Sequence, residues 1–157
     1  MYSSYVFKKP SFKRFPVNFA STHDSFTISD APELESLEGC PKVVDKNFLL
    51  WQLPNLKSFD HCPTYVGGTM FLDYCTRVES LSLGNVVVKN DFSINSCKNI
   101  SSLKGSPKFV GKEYNALDCW KLKTLEGITP NIGEFSDTIL QAKTRPFFSP
   151  IYLLLNI

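Results

Sequence analysis

Apolar residues recur along this chain with a period of 22 residues. Four consecutive segments align without a gap from residue 34 to residue 121, and a shorter copy follows them. A degenerate copy precedes them and keeps its apolar positions in register. We number these segments as coils 1 to 6 in chain order: 12–33, 34–55, 56–77, 78–99, 100–121 and 122–139. A fixed period of this length predicts stacked coils that share one continuous core.

Three columns of the repeat indicate how each coil is built. The fifteenth position holds Phe48, Met70, Phe92 and Tyr114, and the seventeenth holds Leu50, Leu72, Ile94 and Ala116. The eleventh position holds Val44, Val66, Val88, Val110 and Ile132. The fifteenth and seventeenth positions alternate with variable residues, which predicts a short strand with one buried face. Because no stretch of about 10–12 residues has helical spacing, we expect a mainly β solenoid of about six 22-residue coils, with a parallel sheet and little or no α-helix.

The remaining positions of the repeat predict a second extended piece and two bends. The extended piece is expected at the first four positions, as in "LESL" of coil 2. Glycine at the sixth position and proline at the eighth then turn the chain, and Gly67-Gly68 and Gly111 mark another bend. Serine or threonine fills the third position, where we expect a small inward hydroxyl that bonds to the backbone in a tight curve.

The period divides the chain into three parts. Residues 1–11 precede it and form an N-terminal basic arm, with Lys8 and Lys9. Residues 12–139 form a single repeat domain. Residues 140–157 leave the period and are rich in apolar side chains, so they either cap the open end of the solenoid or associate with a second copy.

Charge and hydropathy restrict the classes of partner. The formal net charge of +2 is too small to indicate a nucleic-acid-binding protein. The chain also contains no run of about 20 apolar residues and no secretory signal at its start, so we expect no membrane and a cytoplasmic location.

The cysteines and histidines do not form a recognisable reactive site. Cysteines occupy two columns: Cys40 and Cys62 at the seventh position, and Cys75, Cys97 and Cys119 at the twentieth. A 22-residue spacing is not that of a zinc site, and stacked side chains point in parallel, so we expect reduced buried thiols. Disulfides, a metal site and catalysis are the alternatives.

His23 and His61 lie in no catalytic motif, and carboxylates align in no column. We therefore predict no catalytic residue, no metal, no cofactor and no enzymatic activity.

One exposed apolar cluster is expected on the outer face of the strands. If the fifteenth and seventeenth positions point inward, the sixteenth and eighteenth point outward. The candidate partner-binding residues are then Leu49, Trp51, Phe71, Asp73, Tyr74 and Trp120. Exposed aromatic side chains of this kind are favoured anchors of protein interfaces. Two alternatives remain open: the N-terminal segment or the apolar tail covers this cluster, or the cluster mediates self-association.

The wording of the repeat resembles the leucine-rich repeat superfamily. "FLLWQL" and "YNALDC" fit its leucine, spacer, leucine, two spacers, asparagine-or-cysteine pattern. "LESLEGCPK" and "ISSLKGSPKFVG" are similar to the "LTSLEGCPK-VGG-F-C" repeats of tailed-bacteriophage proteins. Coil 4 departs from this sequence pattern, because it lacks the proline and its glycine is shifted by one position.

This resemblance implies a leucine-rich-repeat-like solenoid and a phage-encoded protein that binds other proteins. We expect a non-enzymatic interaction module that inhibits or modulates a host protein, for which an anti-phage defence protein is one concrete candidate. The alternative is a structural or assembly subunit of a phage particle that self-associates, for instance through the C-terminal apolar segment.

Overall fold

The computed structural model describes residues 4–133, and within that range every regular element is a β-strand. The strands are, in chain order, β1 (Tyr5–Lys8), β2 (Phe26–Ser29), β3 (Val43–Val44), β4 (Phe48–Trp51), β5 (Tyr65–Val66), β6 (Met70–Asp73), β7 (Val87–Val88), β8 (Phe92–Ser93), β9 (Phe109–Val110) and β10 (Tyr114–Asn115). All pairs are parallel, so the predicted mainly β solenoid of stacked 22-residue coils is confirmed.

The strands form two sheets along the length of the solenoid. The main sheet has the order β1-β2-β4-β6-β8-β10, and the second sheet has the order β3-β5-β7-β9. In the main sheet Phe48 pairs with Phe26 on one side and with Met70 on the other, a step of 22 residues each time. The first step is shorter, because Tyr5 pairs with Phe26. Equivalent residues therefore stack about 4.8 Å apart from coil to coil.

The core consists of the predicted columns. Every residue named above for the fifteenth and seventeenth positions is at most 1% exposed. The valines of the eleventh position, from Val44 to Val110, are fully buried as well. Each such side chain contributes about 1.5–3 kcal/mol when it leaves water. The predicted inward face of the main strands is confirmed.

Tyr114 is the polar member of the fifteenth column, and it is fully buried. Its hydroxyl lies 2.9 Å from Ser106 Oγ, and Ser106 Oγ donates to the Leu103 carbonyl at 2.6 Å. Tyr114 therefore donates to Ser106. Burial raises the pKa of the Tyr114 phenol, which stays neutral in this network.

The second extended piece lies elsewhere than predicted. The first four positions are not part of a strand, and in coil 2 the turn closed by the hydrogen bond from Cys40 N–H to Leu37 O at 2.9 Å directly follows them. The strands of the second sheet instead occupy the tenth and eleventh positions, as in Val43–Val44. The two-glycine bend after Val66 follows directly, as expected.

The hydroxyls of the third position are structural, but they do not point inward as predicted. Ser36 and Ser102 are half-buried, and each Oγ accepts a hydrogen bond from the N–H two residues on, at 3.1 Å. Thr124 does the same with Glu126. These side chains therefore cap the turn that contains the sixth-position glycine.

The N-terminal boundary of the solenoid differs from the predicted one. Residues Tyr5–Lys8 of the predicted basic arm form strand β1 and extend the main sheet by one coil. Tyr5 and Phe7 point toward a cluster of aromatic rings at this end of the core, while Val6 is exposed.

Within the described range, no helix is long and apolar enough to cross a membrane. The predicted cap or association segment, 140–157, lies outside the described residues.

Glycine is required where one coil passes very close to the next. A Cβ on Gly111 would overlap the carbonyl oxygen of Lys89, which cannot move without disturbing the second sheet. Gly84 in coil 4 has open space around it instead. There the turn lies at Gly84 and Asn85, the seventh and eighth positions, and Ser82 at the fifth position has the positive φ that Gly39 and Gly105 have at the sixth.

We predict that Gly111→Ala lowers the free energy of unfolding by about 1–3 kcal/mol, because backbone of two coils must separate. Gly84→Ala is the matched control and should be neutral or slightly stabilising, since it restricts only the unfolded chain. Urea denaturation followed by circular dichroism measures both. Equal destabilisation by the two variants would contradict the close-approach argument.

Candidate protein-interaction surface

Four of the predicted residues form one patch on the outer face of the main sheet. Leu49 pairs with Phe71 across β4 and β6, and Trp51 follows Leu49 on the same face. Trp51 is 41% exposed, Phe71 36% and Tyr74 39%, while Leu49 is half-buried. The rings of Trp51 and Tyr74 are in contact, with centroids 4.6 Å apart. We call Leu49, Trp51, Phe71 and Tyr74 the aromatic patch.

Asp73 is not part of this surface, and its predicted exposure is wrong. It is 5% exposed, and its Oδ1 accepts hydrogen bonds from Ser93 Oγ at 2.5 Å and from Asn95 N–H at 2.8 Å. Asn95 repeats this in the next coil, where its Oδ1 accepts from Leu117 N–H at 2.8 Å. Strand pairing between these coils has ended, so the side-chain oxygen takes the place of a backbone acceptor.

Burial raises the pKa of the Asp73 carboxyl, and the two hydrogen bonds to its ionised form oppose that rise. The net direction is upward from 3.8. A raised pKa in the folded state means that ionised Asp73 disfavours folding at neutral pH. The carboxylate therefore supports the coil geometry through its hydrogen bonds but at an electrostatic cost.

Trp120 lies apart from the aromatic patch. It occupies the twenty-first position of coil 5, the column that contains Thr76 two coils earlier. Two steps of the solenoid separate these positions by about 10 Å. Trp120 is 65% exposed, so it extends the apolar surface along one corner of the solenoid rather than across the sheet.

That corner contains a feature that the sequence pattern did not predict. The residue in the nineteenth position, just past the main-sheet strand, has a left-handed backbone in every described coil, with φ between 51° and 59°. The residues are Asp30, Gln52, Tyr74, Ser96 and Asp118, together with Lys9 after β1. Most of these residue types have no preference for positive φ, so only Asp30 and Asp118 indicated a left-handed backbone in the sequence.

A groove of about 630 Å³ runs along this corner across the first coils. We call it the corner groove, and it is lined by Lys9, Pro10, Ser11, Asp30, Pro32, Glu33, Gln52, Pro54, Tyr74 and Thr76. Tyr74 belongs to both the groove and the aromatic patch, so the two surfaces are continuous. In the sequence, only the prolines of the twenty-first position, Pro32 and Pro54, point to the corner groove.

The second sheet carries a smaller apolar column on its own outer face. Tyr65 is 37% exposed, and its neighbours Val43 and Val87 are half-buried. Lys89 Nζ lies 5.7 Å from the ring centroid of Phe109 in the same column. Tyr65 matches the exposure of Phe71 on a different face, which makes it a useful control residue.

The cysteines are free, and all five are buried. Cys97 Sγ donates to the Leu72 carbonyl and Cys119 Sγ to the Ile94 carbonyl, each at 3.1 Å. Burial raises the pKa of the Cys119 thiol to about 12 and raises those of Cys40 and Cys62. The hydrogen bond with Cys75, followed by burial, raises that of Cys97. Cys40, Cys62, Cys97 and Cys119 are therefore neutral packing groups and poor nucleophiles.

The two histidines lie in separate places. His23 Nδ1 is 2.6 Å from a carboxylate oxygen of Asp45 on the surface, in a pair that links neighbouring coils. His61 adopts the left-handed turn conformation at the sixth position of coil 3. Among residues 4–133, no three histidine, cysteine or acidic side chains are grouped in a way that could hold a metal ion.

Comparison with known proteins adds no family assignment. No protein-family model, no curated protein and no solved structure matches this chain.

The buried thiols lead to a direct prediction. The native protein should react with no more than a trace of 5,5′-dithiobis(2-nitrobenzoic acid) at pH 8, because thiolates are both inaccessible and unfavourable. In guanidinium chloride all five cysteines should react. Rapid labelling of a cysteine in the native state would contradict the burial of that column.

Asp73→Asn should raise the free energy of unfolding at pH 7, because the amide oxygen keeps both hydrogen bonds and carries no charge. Since the folded-state pKa is raised, the advantage over the wild type should vanish as pH falls below 3.8, where both forms are neutral. Asp73→Ala should instead be destabilising by about 1–3 kcal/mol, because it leaves Ser93 and Asn95 N–H unpaired. Urea denaturation between pH 3 and pH 7 tests this, and a pH-independent difference would contradict it.

Proposed function

We propose that this protein is a non-enzymatic interaction module that binds a partner protein through the aromatic patch. The observation that carries the proposal is the contact of Trp51 with Tyr74 beside Phe71, three partly exposed aromatic side chains on adjoining coils. Tryptophan and tyrosine dominate the binding energy of protein interfaces, because they bury a large area with few rotatable bonds.

The scaffold beneath the patch supports this proposal. β4 and β6 pair along four residues each, and the inward side chains of both strands are buried. A patch held on paired strands loses little conformational freedom when a partner binds. The ring contact between Trp51 and Tyr74 limits the rotamers of both side chains before binding occurs.

The non-enzymatic part of the proposal rests on where the reactive residue types are. The five thiols are buried, His23 Nδ1 lies 2.6 Å from a carboxylate oxygen of Asp45, and His61 lies in a left-handed turn of another coil. Nucleophilic or acid-base catalysis requires such groups to be within hydrogen-bond reach of one another.

The resemblance to phage repeat proteins gives the proposal its biological setting. In that setting the partner is a host protein in the bacterial cytoplasm, and binding inhibits or modulates it. The specific partner that we propose is a bacterial protein of anti-phage defence.

One observation favours a self-associating structural subunit as the second candidate. Strand β1 ends the main sheet, and Val6 on it is 65% exposed. An open edge can pair with another chain, although Lys8 and Lys9 next to it are the kind of residue that discourages such pairing. A monomer in sedimentation equilibrium at micromolar concentration would exclude this candidate.

Phe71→Lys and Trp51→Lys should each reduce capture of the partner from a bacterial lysate at least about tenfold, because each buries a charge at the centre of the interface. The immobilised wild-type protein and each variant are compared by quantitative mass spectrometry of the bound proteins. Tyr65→Lys, on the outer face of the second sheet, is the matched control and should capture the same partner as the wild type.

Circular dichroism and the thermal midpoint establish that each variant remains folded. Equal capture by the wild type and both patch variants would overturn the proposal. Loss of capture by Tyr65→Lys alone would move the interface to the second sheet.

A further inference from the structure

The corner groove has the dimensions of an extended peptide. It follows the nineteenth column from Lys9 to Tyr74, which are three coil steps apart and therefore separated by about 14 Å. The groove is open to solvent and has a volume of about 630 Å³. A polyproline-II segment of four or five residues spans it, at about 3.1 Å per residue.

The backbone of the corner cannot take an added β-strand. The N–H groups of Asp30, Gln52 and Tyr74 already donate to carbonyls of the next coil, at 3.0, 3.3 and 2.9 Å. Addition of a strand requires a row of free donors and acceptors along one edge. A polyproline-II segment needs no such row, because its backbone makes no ladder of hydrogen bonds.

The lining is apolar and rigid in the way that suits proline-containing ligands. Pro32 and Pro54 occupy the same column in adjoining coils, and Pro10 lines the groove near the N-terminal strand. The Tyr74 ring closes one end and is held against Trp51. Aromatic and proline surfaces bind polyproline-II ligands because both partners lose little entropy on association.

The charges in the groove select a basic residue in the ligand. Asp30 and Glu33 line the wall, and within residues 4–133 neither carboxylate is in an ion pair. Lys9 is the single cation of the lining and lies at the end opposite Tyr74. A ligand that places its arginine or lysine between Lys9 and Tyr74 therefore meets two unpaired carboxylates.

We propose that the corner groove binds an extended, proline-containing segment of the partner protein, with a basic side chain of that segment bound by Asp30 and Glu33. This inference rests on the proposed function and specifies the chemistry of the partner. The aromatic patch contacts the folded surface around the segment, and Tyr74 connects the two sites.

The test uses blocked synthetic peptides and the full-length protein. One set of fluorescein-labelled nonapeptides carries proline at every third position and one arginine, moved through the other positions. A second set has glutamate in place of arginine, and a third has valine in place of proline. Fluorescence anisotropy should give saturable binding for at least one arginine peptide, with a Kd of about 1–100 μM. Its glutamate and valine counterparts should bind at least about tenfold more weakly.

Two variants of the protein locate the binding site. Asp30→Asn combined with Glu33→Gln removes both charges while preserving shape, and asparagine tolerates the left-handed backbone at residue 30. This double variant should weaken the best arginine peptide about tenfold and leave the glutamate set unchanged. Glu79→Gln, an exposed carboxylate outside the groove, is the matched control and should have no effect.

Three results would overturn the inference: no arginine peptide that saturates below about 1 mM, equal binding of the glutamate set, or unchanged binding by the double variant. The lysate experiment separates this failure from failure of the proposed function. If Phe71→Lys still loses the captured protein while the peptide test fails, the partner uses the aromatic patch alone and only the groove inference falls.

Discussion

The backbone hydrogen bonds that run from each coil to the next are the interaction on which the rest of the structure depends. The N–H groups of Phe48, Met70 and Phe92 donate to carbonyls one coil further on, at 3.0, 2.9 and 2.8 Å. Such bonds form only if neighbouring coils follow the same backbone path at equivalent positions of the repeat. Coil 4 departs from this path only locally: its turn lies at Gly84 and Asn85, two positions later than the turn at Glu38 and Gly39 in coil 2. The strands that follow stay in register, since Val87 still pairs with Tyr65 and Phe92 with Met70.

The same ladder explains which parts of the fold could be predicted. Burial in a stacked core demands an apolar side chain at the same position of every coil, so columns such as Val44 to Val110 are visible in the sequence. The prediction failed for Asp73, because its alternating position in β6 does not determine its burial. Asp73 still pairs with Trp51 of β4, but pairing with β8 ends at Phe71, and there the Asp73 side chain replaces a backbone acceptor for Asn95. A rule based on period 2 contains no information about such a hydrogen bond.

The left-handed backbone of the corner could not be predicted from the sequence for a related reason. Lys9, Gln52 and Tyr74 gain nothing locally from a positive φ, and the conformation costs about 1–2 kcal/mol for such residues. Their N–H groups each donate to a carbonyl of a neighbouring coil, as Tyr74 does to Asn95 at 2.9 Å. Tertiary hydrogen bonding therefore offsets a local cost that sequence propensities count against the conformation. Within residues 4–133 no buried side-chain nitrogen or oxygen lacks a hydrogen-bond partner, so the corner is formed without a buried polar side chain left unpaired.

This arrangement leaves the side chains of the corner more independent of one another than those on the flat face of the sheet. On the flat face Leu49 and Phe71 pack against each other, so a change in one alters the surroundings of the other. At the corner the scaffold imposes the backbone conformation, and each coil presents one side chain of unrestricted type at steps of about 4.8 Å. The first four are a cation, an anion, an amide and an aromatic ring: Lys9, Asp30, Gln52 and Tyr74. A solenoid whose core columns must remain buried can therefore change its surface by substitution along this line without loss of its fold.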